Sequence, residues 1–186
     1  MAKIRDAYCS YCGTKFPEPL AYPRTCVGCG IEIWANPIPV SVVLVPVLVD
    51  GGARTGLLVV RRAIEPQKGK LAIVGGFLEE HETWQQGGAR EVREETGAIA
   101  DPETFETMWF ASSAPRPNRV LLFSIARPIE LSALPAFHQD KEASERGLVF
   151  GPDGLDAELA FPLHVEAVRR YFSARSITGP HAFRPA

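Results

Sequence analysis

Residues 75 to 97 read GGFLEEHETWQQGGAREVREETG. Glutamates crowd into this stretch of a chain that is otherwise rather apolar, and they do so on what reads as one loop and one helix. Between Glu82 and Thr96 only the pair Gly87-Gly88 weakens a helix, and Gly97 is well placed to stop it. On that helix Glu91 and Glu95 stand one turn apart and Glu94 lies three residues from Glu91, so the three carboxylates share an arc of about 100°. The opposite side carries Ala89, Val92 and Thr96, small enough to lie against a sheet. Three like charges on one face repel, which costs stability unless a cation sits among them or solvent screens them. Carboxylates are hard oxygen ligands that suit Mg²⁺ or Mn²⁺ and a phosphate-rich substrate. Spacing alone leaves both a solvated acidic face and a metal site open.

Working outward, Leu71 to Val74 is a short apolar strand that ends at the glycine pair. Val40 to Val49 and Leu57 to Arg61 read as two strands, and the turn chemistry of DGGARTG between them predicts a hairpin. Further strands are expected at Phe105 to Phe110, Val120 to Ile125 and Gly147 to Phe150. A final amphipathic helix starts near Pro162, with Leu163, Ala167, Val168, Tyr171 and Phe172 on its apolar side. The tail after Thr178 is expected to fray. The organisation predicted is a module over 1–36, the main domain over 37–176 and a C-terminal tail over 177–186.

All four cysteines fall before residue 30, as Cys9-Ser-Tyr-Cys12-Gly and Cys26-Val-Gly-Cys29-Gly. Two CxxC steps separated by thirteen residues have the form of two knuckles around one tetrahedral zinc. Four thiolates leave no open position for water, so such a zinc is structural, and it would supply much of the folding energy of so small a module. A redox CxxC pair and unligated thiols are the alternatives. Tyr11, Phe16, Tyr22 and Trp34 read first as the ribbon's own core.

The formal charge is −2, from 22 acidic and 20 basic residues, which excludes a broad positive field for nucleic acid or an anionic bilayer. The first residues, MAKIRDAYCS, lack the apolar stretch of a signal peptide. The run from Ile38 to Val49 is too short to span a bilayer and is broken by Pro39 and Pro46. A cytoplasmic protein is the expectation.

The order of residues is more specific than their spacing. Gly76, five residues, Glu82, seven residues and then Arg90-Glu91-Val92-Arg93-Glu94-Glu95-Thr96-Gly97-Ala98 resembles the signature of the Nudix hydrolases. That resemblance implies an α+β fold, a Nudix-type mixed β sandwich flanked by helices, here preceded by the four-cysteine zinc ribbon. It implies hydrolysis of a nucleoside diphosphate derivative, with Mg²⁺ or Mn²⁺ bound by Gly76, Glu91, Glu94 and Glu95. Glu82 and Arg90 would brace the loop. The general base differs among relatives: Glu94 is one candidate and Glu145, in a Glu-x-x-Glu segment with Glu142, is the other.

The ribbon narrows the resemblance to two groups: NADH pyrophosphatases, which also remove NAD caps from RNA, and enzymes of FAD or ADP-ribose. The first group carries Ser-Gln-Pro-Trp-Pro-Phe-Pro after the signature. This chain has Ser-Ala-Pro-Arg-Pro-Asn-Arg from Ser113 to Arg119, without the aromatics, and its CGIEIWANPIPV and LAFP segments are more similar to the second group. FAD or ADP-ribose is therefore the expected substrate, releasing AMP. Substrate contacts are expected from Arg61, Arg62, Lys70, Phe77, Arg116 and Arg119, while Trp84 and Trp109 offer stacking surface or core. The resemblance also implies a homodimer, with nucleic acid engaged only as a capped RNA end.

Overall fold

A computed structural model describes residues 6–18, 21–113 and 119–186, and divides the chain into two compact units, 1–37 and 38–186. In the first unit β1 (Arg24–Thr25) pairs antiparallel with β2 (Glu32–Ile33). The two knuckles are built alike: Gly13 N–H donates to the Cys9 carbonyl at 2.9 Å and Gly30 N–H to the Cys26 carbonyl at 2.8 Å. Each of these glycines has φ near +75°, where a side chain would strain the turn. The core is minute, Cys9, Phe16 and Cys26 with Ile33 against them. Of the four aromatics expected inside it only Phe16 is buried; Tyr11 and Trp34 are exposed, and Tyr22 lies over Arg24.

The second unit begins with β3 (Ile38–Leu44) and β4 (Pro46–Val49), one continuous apolar run in sequence. The chain leaves the first strand at Val45: β3 pairs with β6 and β8, whereas β4 pairs with β5 and β9. Every residue from Ser41 to Val47 is buried, so alternation could not reveal the change of partners. β5 (Arg54–Arg62) closes the expected hairpin and runs on to pair with β6 (Leu71–Phe77). The first half of β6 bonds to β5 and its second half to β3, which joins the two parts of the sheet.

After β6 come α1 (Trp84–Thr96), β7 (Glu106–Ser112), β8 (Arg119–Ile125), β9 (Ile129–Glu130) and β10 (Ala143–Val149). Then follow α2 (Leu155–Glu158), α3 (Pro162–Ser173) and β11 (Phe183–Pro185). The strand order is β11-β10-β5-β6-β3-β8-β7, with β3 and β8 parallel and the other neighbours on this path antiparallel. This is the mixed α+β architecture expected. The tail expected to fray instead forms β11, with Phe183, Arg184 and Pro185 in register with Val149, Leu148 and Gly147. Among the described residues two large apolar clusters support the sheet, with a small third at Val60, Ala72 and Ala143. One gathers β3, β8 and the buried face of α3, including Phe123, Tyr171 and Phe172; the other gathers β4, β5 and Val92 of α1. No helix among the described residues is long and apolar enough to cross a membrane.

Candidate active site

The signature opens at the end of β6 and closes at Gly97. Thr83 caps α1: its hydroxyl accepts from Gln86 N–H at 3.2 Å while the Gln86 side chain accepts from Thr83 N–H at 2.8 Å. At the far end Gly97 turns left-handed, with φ of 72°, and its N–H donates to the Arg93 carbonyl. Gly87-Gly88, a weak point for a helix in isolation, lets α1 lie close to its neighbours. A Cβ on Gly88 would sit 2.7 Å from Val43 Cγ2 and 2.8 Å from Ser41 Oγ, and one on Gly87 2.5 Å from Leu78 Cδ2. Ser41 also ties the helix start to β3, donating to the Trp84 carbonyl at 2.9 Å.

That approach sets the carboxylates against the glycine turn. Arg90 is the hub. Its Nε and Nη2 donate to the two oxygens of Glu82 at 3.1 and 2.8 Å, Nη2 also to the Phe77 carbonyl at 3.0 Å, and Nη1 to Glu91 at 2.7 Å and Glu94 at 3.2 Å. Glu82 accepts in addition from Glu79 N–H at 2.7 Å. Hydrogen bonds from Arg90 hold the Glu82 carboxyl below its usual range, while pairing with Glu82 holds the Arg90 guanidinium firmly charged. Glu91 abuts Gly76 so closely that a Cβ there would lie 2.2 Å from its Oε1. Glu95 reaches back to accept from Gly75 N–H at 3.3 Å.

The electrostatics match an oxygen site built for a cation. Burial pushes the Glu91 carboxyl up despite Arg90, and burial followed by the Glu91 charge pushes Glu95 up to about 8. Glu142 adds to both effects from the segment before β10. Glu145, one of the two candidates for the base read from sequence, is engaged by Arg61 Nε at 2.7 Å. Glu94, about half exposed, is the most open carboxylate of the three on α1.

A cavity of about 620 Å³ opens beside the cluster, its wall running through Gly75, Gly76 and Glu95 to Arg62, Phe77 and Arg119. Arg62 lies over the Phe161 ring at 5.1 Å and Arg119 over Phe77 at 5.5 Å. Three expected substrate contacts, Arg62, Phe77 and Arg119, are thus brought to one place, and Arg61 and Lys70 are engaged elsewhere. Arg61 pairs with Glu145 and donates to the Gly69 carbonyl at 3.0 Å. Lys70 donates to the Ala157 carbonyl beside a separate groove of about 570 Å³. Arg116 lies outside the described residues. Trp109 stacks on Phe123 at 5.1 Å, and Trp84 packs on the second apolar cluster, so both serve the core. Sequence reasoning missed His164 and Phe161 in the cavity wall. A lone histidine among the apolar positions of α3 was the available signal.

In the ribbon the four Sγ atoms lie within 4.8 Å of one another, with Cys9 to Cys29 at 3.8 Å and Cys12 to Cys26 at 3.5 Å. A tetrahedral Zn–S bond of about 2.3 Å places sulfurs about 3.8 Å apart, which this cluster approaches. Gly28 N–H points at Cys26 Sγ at 3.4 Å, and hydrogen bonding from Thr14, side chain and backbone, brings the Cys12 thiol down to about 6.

Comparisons with known proteins agree with this geometry. Residues 38–171 match the NUDIX domain family. Among solved structures, a NUDIX hydrolase from Nitrosomonas europaea is 26% identical, with 91% of this chain and 92% of that chain covered and a TM-score of 0.67. The NUDIX domain of Shewanella oneidensis NrtR complexed with ADP ribose is 18% identical over 76% of this chain and 90% of its own, TM-score 0.63. An Ap4A hydrolase from C. elegans is 12% identical over 75% and 98%, TM-score 0.57. The last two show a shared fold. No curated protein sequence matched. With its family match spanning most of the chain and the glycine turn, Arg90 hub and acidic helix in place, the protein belongs to the NUDIX family and carries its catalytic domain for hydrolysis of nucleotide pyrophosphates.

Proposed function

We propose that the protein hydrolyses the pyrophosphate of FAD or ADP-ribose, releasing AMP and the second phosphate half. Mg²⁺ or Mn²⁺ would be held by the Gly76 carbonyl with Glu91, Glu94 and Glu95. The observation that carries this reading is the meeting of an all-oxygen donor set with a roomy, largely apolar cavity at Gly75, Gly76 and Glu95. The residues fit such an ion: two recessed carboxyls are driven up by burial and by neighbouring carboxylates, the strain a divalent cation relieves. When bound, it neutralises the pyrophosphate, polarises the attacked phosphorus and acidifies a bound water.

The chain's own groups do the rest. Arg90 fixes Glu82, Glu91 and the Phe77 carbonyl in one rigid unit, so the donors need not reorganise when substrate arrives. Arg62 and Arg119 offer positive charge along the cavity, beside the Phe161 and Phe77 rings. Glu94 and Glu142 are the two candidates to accept the proton of the attacking water; Glu142 takes the place of Glu145, whose carboxylate is occupied by Arg61. Cys9, Cys12, Cys26 and Cys29 would hold a structural Zn²⁺.

Against the alternative, an NADH pyrophosphatase or remover of NAD caps from RNA, stand the missing aromatics after the signature. Trp84 and Trp109, which would have to replace them, are committed to the core. That the NrtR domain takes ADP ribose on the same fold supports the choice. The test is mass-spectrometric product identification from an equimolar mixture of FAD, ADP-ribose, NADH and NAD⁺ with Mg²⁺, where relative depletion ranks kcat/KM. FAD or ADP-ribose should disappear first, with AMP appearing. NADH disappearing first would overturn the substrate assignment.

A further inference from the structure

His164 sits at the start of α3 with 6% of its surface exposed, yet it lines the cavity beside the signature. Its ring is held on several sides. Ile73 N–H, on β6, donates to Nδ1 at 3.1 Å, and Phe161 and Phe123 meet the ring edge-on at 5.0 and 6.1 Å. Because Nδ1 is an acceptor, the neutral ring carries its proton on Nε2. Burial, with the Arg62 charge behind it, keeps the ring neutral by pushing it down to about 3. Nε2 has no hydrogen-bond partner among the described residues. Nor is it sealed in: the buried side-chain nitrogen or oxygen left without a partner among those residues is Arg24 Nε. Nε2 therefore keeps some accessible surface, on a residue that lines the cavity.

We propose that the Nε2–H of His164 is a specificity-determining hydrogen-bond donor, taken by an acceptor atom on the ring-bearing, non-reacting half of a nucleotide substrate. The inference deepens the function proposed above and rests on it. Val40, Val42, Leu121 and Leu163 make much of the surrounding wall apolar, so a ring seated there loses water and must find its polar partner in the protein. A fixed donor in such a wall discriminates sharply, since a ligand without a matching acceptor leaves it desolvated and unpaired. Ile73 and Gly76 are three residues apart on one strand, about 10 Å, which leaves room for a ribose between the donor and the phosphates.

The test is NMR of zinc-loaded protein labelled with ¹⁵N-histidine, in which the His164 Nε2–H signal is assigned by its loss in His164→Gln. AMP and FMN are added separately with Mg²⁺, with ribose 5-phosphate as the control that lacks an aromatic ring system. At least one ring-bearing probe should move the signal downfield and slow its exchange, while ribose 5-phosphate leaves it in place. If neither AMP nor FMN moves it, the inference is overturned, whether or not FAD and ADP-ribose prove to be substrates. Competitive turnover gives the second reading. His164→Leu should change the ratio of kcat/KM between preferred and poor substrates about 10 to 100-fold. His164→Gln, whose amide can accept from Ile73 and donate to the cavity, should restore most of that ratio. A uniform loss for all substrates in His164→Leu would mean a structural role only and would also overturn the inference.

Discussion

The ribbon and the signature helix both gather candidate metal ligands, and they organise them in opposite ways. In the ribbon the ligands are the core: Cys9 and Cys26 are two of its three buried apolar residues. In the catalytic unit two large apolar clusters form without any ligand, and the donors are laid on that finished surface by Gly87, Gly88, Arg90 and the caps of α1. A metal should therefore be a condition of folding in the first region and a condition only of chemistry in the second.

The largest expected effect breaks the comparison at the ribbon. Chelating the zinc proposed for the ribbon should remove a contribution of about 10–16 kcal/mol from a module with little else to hold it. Residues 1–37 should lose dispersed NMR signals while those of 38–186 and their melting transition persist; concerted collapse of both would refute the division. On the other side, Arg90→Ala strands Glu82 and Glu91, each partly buried, without their cation. Breaking such a pair costs about 3–5 kcal/mol, to be read as a lower urea midpoint at unchanged m-value. Gly76→Ala pushes a methyl against Glu91 and should cost about 1–3 kcal/mol. Its clearer signature is weaker Mg²⁺ binding by calorimetry with zinc content unchanged.

The smallest effect concerns pH. His164 has a folded pKa of about 3, below its unfolded value near 6.5, so acid protonates the unfolded chain first and stability falls as pH drops below 6.5. Between pH 7.5 and 5.5 the loss is about 1.4 kcal/mol. Glu95, raised to about 8, acts with the opposite sign, its stabilising protonation being lost as pH rises from 4.5 toward 8. With Glu95 a ligand as proposed, saturating Mg²⁺ should hold it ionised and isolate the histidine slope. Urea unfolding in Mg²⁺ should show that slope in the native protein and not in His164→Gln.

These contrasts also explain what could be read in advance. Motifs whose chemistry is local were legible: the CxxC steps, the acidic face of α1, the hairpin around Asp50 to Gly56 and the helix stop at Gly97 each depend on neighbours a few residues away. Features set by distant partners were not. The run from Val40 to Val49 changes partners at Val45, a choice made by β8 and β5 rather than by its own residues. Phe183 to Pro185 look like a tail until β10 supplies an edge to pair with. Among the candidate site residues, charge alone could not separate Glu145, paired with Arg61 on the neighbouring strand, from Glu142, whose field reaches Glu91 and Glu95. His164 became significant only when Ile73 occupied one of its nitrogens.

The most direct test of the central claim, that the recessed carboxylates serve catalysis and not folding, is AMP release from the FAD and ADP-ribose mixture by Glu95→Gln beside the native protein. Removing one ion ligand worth several kcal/mol in the transition state should lower kcat by about 10²-fold or more, with zinc content and melting temperature retained. Native turnover by Glu95→Gln would contradict the account.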